Sequence, residues 1–181
     1  MSRVIMFAMA LLLAASCSLA LRRCTQRASE IDDTGRVVSL ADGSVLVAPD
    51  GTITSVLVDW LRDPSARHHR FEVGGTQFAP GAVAPLPEAK MRLGRLAQML
   101  RAYPKVHLAV IGATNPSSDA ESDQRLSEAR ARLCAELLIA AGVARNRLAT
   151  SGEGGKHPRY AQTSPLASHN DRVILDLYKT N

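Results

Sequence analysis

Aromatic residues make up only 4% of this sequence, and cysteines number three. Each scarcity excludes something. Trp60 is the sole tryptophan, and the arginines behind the net charge of +5 are scattered instead of forming a run. The interleaved aromatic and basic side chains of a nucleic-acid reader are therefore missing, and no nucleic-acid partner is expected. Cys17, Cys24 and Cys134 have no metal-ligand spacing, so neither a metal centre nor a disulfide framework is expected. Cys134 reads as a buried free thiol. No Ser–His–acid or Cys–His order stands out, so the chain reads as a non-enzyme with no catalytic residues and no cofactor. The run GEGGK at Gly152 to Lys156 lacks the spacing and the following Ser or Thr of a phosphate loop.

What is present divides the chain into three. Residues 1–24 hold the almost continuously apolar run Val4 to Leu21, flanked by Arg3, Arg22 and Arg23. Its length suits a membrane anchor and a cleaved signal alike. A lipoprotein signal is the third reading, with Cys17 as the residue that would carry the lipid. Residues 25–69 read as an accessory region. Asp42-Gly43 and Asp50-Gly51 sit between short apolar runs, which is a hairpin signal. Ile53 to Leu61 reads as a short helix containing Trp60, and His68-His69 as a solvated linker pair.

The third segment, residues 70–181, reads as one domain. A strand is expected over 71–78, and a helix opens at Pro87-Glu88. That helix buries Ala89, Leu93, Leu96, Ala97 and Leu100, and stops at Tyr103-Pro104. The apolar run 105–111 suits a central strand, with His107 as a packed or edge histidine. A long helix is expected from about Ser118 to Ala141, then strands over 147–151 and 171–177. The order βαβαβ followed by β predicts an α/β two-layer sandwich.

One residue in the long helix is out of place. Leu126, Ala129, Leu133, Leu137 and Ala140 form an apolar stripe at helical spacing, and Arg130 falls at its edge. A guanidinium on a buried side must meet a carboxylate, a carbonyl or a ligand. A structural ion pair, a snorkelling side chain and a ligand contact all answer that need.

The same stretch resembles a known family. Gly112, Thr114 and Asn115, then Asp123, Leu126, Ser127, Arg130 and Ala131, follow the pattern of the OmpA-like domain. Gly152, Gly154 and Pro158 follow in order, then Asn170, Asp171, Arg172 and Val173. The resemblance covers about residues 70–179. It implies a periplasmic module of outer-membrane proteins, lipoproteins and flagellar stator subunits. Such a module binds peptidoglycan through the diaminopimelate of its stem peptide. A stator-type ion channel is excluded, because Val4 to Leu21 carries no acidic residue. The arginines after the apolar run favour a cytoplasmic C-terminal side. The resemblance outweighs that bias, so the chain is expected in the cell envelope, facing the periplasm. An inner-membrane anchor is preferred over an outer-membrane lipoprotein.

By the resemblance, Arg130 holds a carboxylate of the ligand, and bidentate geometry suits arginine to that role. Thr114, Asn115, Asp123 and Asp171 frame it. Several positions depart from the family pattern. Its loop aspartate is Asn115 here, its helix-start asparagine is Asp123, and the first arginine of its last strand is Asp171. Losing a charge-assisted pair in such a pocket costs about 1.5–3 kcal/mol. Two readings therefore stand: a peptidoglycan-binding module with a weakened or rewired site, or a retained fold that serves an envelope protein partner.

Overall fold

A computed structural model describes residues 35–180. The segment 1–24, with Cys17 and Cys24, lies outside the described residues. Among the described residues, no helix is long and apolar enough to cross a membrane.

Strands β1 (Gly35–Ser39) and β2 (Val45–Pro49) form a two-stranded sheet. Gly43 turns the chain between them at φ +81°, and the Asp42 carboxylate accepts the Ser44 N–H at 2.9 Å. Asp50-Gly51 makes no second hairpin. It leads into helix α1 (Ile53–Arg62), whose first turn is capped by Thr52. Helix α1 buries Leu57, Val58, Trp60 and Leu61 in the same core as Val38, Leu40, Leu46 and Ala48 from the hairpin.

The main sheet has four strands in the order β3-β6-β4-β5. These are β3 (His68–Glu72), β4 (Val106–Ala113), β5 (Leu148–Gly152) and β6 (Arg172–Lys179). Strand β6 runs antiparallel to β3 and β4, while β4 and β5 are parallel. The parallel pair needs a crossover, and helix α3 (Ala120–Ala140) supplies it. Helix α2 (Pro87–Ala102) has Pro87 in its first turn and packs beside α3. On one face of the sheet Leu108 pairs with Leu177 and Val110 with Leu175, all buried in the core with α2 and α3. The result is the mixed α/β two-layer arrangement expected from the element order.

Two expectations shift. The strand placed at 71–78 is β3, at His68–Glu72. Gly74 and Gly75 take φ of +78° and +60°, which end the pleat, and Phe78 makes only an isolated bridge to Pro85. His68 and His69 are consequently strand residues, not a linker. His68 bonds Asp176, and the His69 ring lies 4.0 Å from that of Phe71.

The second shift concerns α3. Its buried face runs through Asp123, Ser127, Arg130, Ala131, Cys134, Ala135 and Leu138. The leucines of the expected stripe, Leu126, Leu133 and Leu137, are only half-buried, and Ala140 is exposed. Arg130 therefore stands within the buried face instead of at its edge. The approach of α3 to the sheet explains the choice of small residues there. A Cβ on Gly112 would lie 1.9 Å from the Ser127 carbonyl oxygen, and one on Gly152 would lie 2.3 Å from the Ser127 hydroxyl. Cys134 is a free buried thiol, and burial pushes its pKa up to about 12.

Candidate functional site

The site lies where β4 ends, α3 begins and β6 starts. Helix α3 buries its first turns because glycines on β4 and β5 let it come close. Ser127 fixes that contact: its hydroxyl accepts the Gly154 N–H at 3.0 Å and donates to the Gln124 carbonyl at 2.8 Å. Arg130, one turn on, is thereby carried into the interior with no exposed surface.

Its guanidinium meets three groups. Nε donates to the Ala82 carbonyl at 2.8 Å, Nη1 donates to Asp171 Oδ1 at 2.5 Å, and the group stacks 4.5 Å from the Phe78 ring centroid. The carboxylate that Arg130 requires is thus supplied by the chain itself, by Asp171. Asp171 Oδ1 also accepts the Asn115 N–H at 3.2 Å. One carboxylate oxygen therefore ties the loop after β4 to α3. The Asp171 side chain is 15% exposed, whereas that of Arg130 has no exposed surface.

Two buried polar atoms of the site have no partner among the described residues: Arg130 Nη2 and Thr114 Oγ1. An unpaired buried donor is costly, about 1–3 kcal/mol, and such atoms mark places where a ligand or water would be favoured. The Thr114 backbone is held separately, its N–H donating to the Gly154 carbonyl at 2.9 Å.

Of the five residues singled out in the sequence, Asn115, Arg130 and Asp171 are joined through the Asp171 carboxylate, and Thr114 adjoins Asn115 in the chain. Asp123 has other work. Its Oδ2 accepts the Ser117 N–H at 2.7 Å and closes the loop at the start of α3. Sequence reasoning gave no role to Asn170, which is fully buried and organises the far wall. Its Oδ1 accepts the N–H groups of Arg159 and Tyr160, and its Nδ2 donates to Asn115 Oδ1 at 2.9 Å. Its place beside Asp171 in the last motif was the available signal. Phe78 and the Ala82 carbonyl were also missed, because they lie far from Arg130 in the sequence. Among the described residues no cluster of His, Cys, Asp or Glu could hold a metal ion.

The profile of the OmpA family matches residues 70–172. The chain belongs to the OmpA family. The chain is 36% identical to Probable lipoprotein YiaD of Escherichia coli (strain K12) over 92 residues, which is 50% of this chain and 42% of that one. It is 29% identical to Peptidoglycan-binding protein ArfA of Mycobacterium tuberculosis over 101 residues, 56% of this chain and 31% of the relative. The chain therefore spans less than half the length of these curated relatives. The crystal structure of the C-terminal domain of Helicobacter pylori MotB is 27% identical, with a TM-score of 0.52. That match covers 59% of this chain and 84% of the MotB domain. As an OmpA-family domain, the chain shares the fold of the MotB domain.

Proposed function

We propose that this is a cell-envelope protein whose OmpA-family domain binds peptidoglycan non-covalently. It would do so through the diaminopimelate of the stem peptide, without catalysis. The observation that carries the reading is the Asp171 carboxylate, which receives both the Asn115 N–H and the Arg130 guanidinium. The negative charge that Asn115 lacks is brought to the same loop from the start of β6. In this reading the exposed part of Asp171 meets the ammonium of diaminopimelate. The unpartnered Nη2 of Arg130 and Oγ1 of Thr114 supply hydrogen bonds to its carboxylate, and Asn115 positions the loop. Asp123 acts indirectly, by holding that loop closed. The name of ArfA supports the reading. The Arg130–Asp171 pair also weakens the site for a carboxylate ligand, since part of the guanidinium is already neutralised. This same pair favours a second reading, in which the domain no longer binds peptidoglycan and engages an envelope protein partner. The proposed location is periplasmic, with the N-terminal segment as an inner-membrane anchor, or with Cys17 as a lipidated residue.

The test is sedimentation of residues 25–181 with insoluble diaminopimelate-type peptidoglycan, with lysine-type material in parallel. The expected result is co-sedimentation with the first that free meso-diaminopimelate reverses. A protein that stays in solution with both would leave the partner-binding reading in its place.

A further inference from the structure

One edge of the Arg130 guanidinium is held by a partner that uses only half of it. Nε and Nη2 lie on the same edge of the planar group and form a fork suited to the two oxygens of a carboxylate. Here the Ala82 carbonyl accepts the Nε hydrogen at 2.8 Å, and Nη2 beside it is buried with no partner among the described residues. Nη1, on the remaining corner, is held by Asp171. A single acceptor atom therefore stands at a two-donor edge. With Arg130 wholly buried, no ligand reaches that edge while the carbonyl stays in place.

The carbonyl belongs to a segment built to move as one piece. Residues 79–84 lie between β3 and α2 and read Ala-Pro-Gly-Ala-Val-Ala, with no side chain larger than valine. Pro80 and Gly81, the latter at φ +69°, form a turn closed by the Ala82 N–H on the Ala79 carbonyl at 3.0 Å. Both ends of the segment are fixed. Phe78 and Pro85 are buried and bridge each other, and the Leu86 N–H donates to the Gln77 carbonyl at 2.8 Å. The buried Gln77 side chain in turn accepts the Val173 N–H at 2.8 Å. Between those ends every residue except Ala82 is exposed. Among the described residues, the segment's one hydrogen bond to the rest of the domain is that of the Ala82 carbonyl to Arg130. A small, exposed, pre-formed turn held by a single bond opens more readily than the core elements around it.

We propose that residues 79–84 are a lid on Arg130, and that a ligand carboxylate displaces the Ala82 carbonyl and binds Nε and Nη2 together. Displacement exchanges one hydrogen bond for two charge-assisted ones and gives the orphaned Nη2 its partner, while Nη1 stays on Asp171. A lid that is mostly closed raises the apparent Kd by the inverse of its open fraction, so it regulates the site. This assignment rests on the reading of Arg130 as the contact for the diaminopimelate carboxylate.

The test is an NMR titration of the full chain, in non-ionic detergent micelles, with free meso-diaminopimelate. A variant with residues 79–84 replaced by a short run of glycines, which leaves Phe78 and Pro85 able to pair, is titrated beside it. In the parent, the amides of Gly81, Ala82 and Val83 and the Arg130 Nε–H signal are expected to shift together with the Asn115 amide. Cadaverine, which carries the two ammonium groups and no carboxylate, should leave the lid signals unmoved. The variant should bind diaminopimelate about tenfold tighter, as for a lid open roughly a tenth of the time. Binding that shifts Asn115 but not residues 81–83, lid signals that respond equally to cadaverine, or equal affinity in the two proteins overturns the lid and leaves the peptidoglycan reading standing. Absence of binding by both proteins overturns the two together. The parent's shifts decide the matter even where the shortened segment fails to fold.

Discussion

Arg130 is a fully buried guanidinium whose charge is met by one carboxylate, and both halves of that pair matter for folding. Removing the arginine leaves Asp171 without its counter-ion and opens a cavity beside Phe78. Arg130→Ala should destabilise the protein by about 3–5 kcal/mol, read as a lower urea midpoint at unchanged slope. An unchanged midpoint would mean that the pair contributes nothing. Cys134 offers a pH-dependent check on the same helix. Burial raises its pKa from 9.0 to about 12, so the neutral thiol is favoured in the folded state. Its contribution is complete below pH 9, where the unfolded thiol is also protonated. It is lost as pH rises toward 12, because the unfolded chain ionises first. At pH 8 the native thiol should be inert to iodoacetamide and become reactive only on unfolding. The Arg130–Asp171 partnership was not legible in the sequence, since 41 residues separate the two and only the tertiary fold joins them. The sequence did single out both residues, one for its place beside an apolar stripe and the other for its reversed charge.

Among the elements, α3 shows how far periodicity reaches. Its existence and length follow from the spacing of leucines and alanines, and its span is within two residues of the expected one. Its orientation was misjudged because the buried face includes Asp123, Ser127 and Arg130, polar side chains whose partners lie on other elements. Strand β3 was displaced for a related reason. His68 and His69 look like a linker, but an edge strand tolerates such residues along its open side. The glycines give the element-scale prediction. Gly112→Ala forces a Cβ against the Ser127 carbonyl and should cost about 3 kcal/mol or more, by lifting α3 from the sheet. Gly94→Ala, on the exposed side of α2 with open space around it, should instead stabilise by about 0.5–1 kcal/mol. Thermal melts of the two variants should move in opposite directions, and parallel shifts would contradict the close-approach argument.

For the molecule as a whole, the hairpin and α1 share one core with the four-stranded sheet, and Lys179 on β6 ties down the end of α1. A chain shortened to begin at Arg67 would expose the Trp60-facing side of that core and should melt well below residues 25–181. Equal melting temperatures would show that the hairpin and α1 add no stability. Peptidoglycan binding is proposed for the other end of the sheet, where Asp171 brings its negative charge to Asn115. The most direct measurement is peptidoglycan co-sedimentation of residues 25–181, of Asp171→Asn, and of Asp171→Asn combined with Asn115→Asp. The account predicts that the parent binds, that the single variant loses about ten- to a hundredfold in affinity, and that the double variant recovers. A single variant that binds as well as the parent, or a double variant no better than the single, would contradict it.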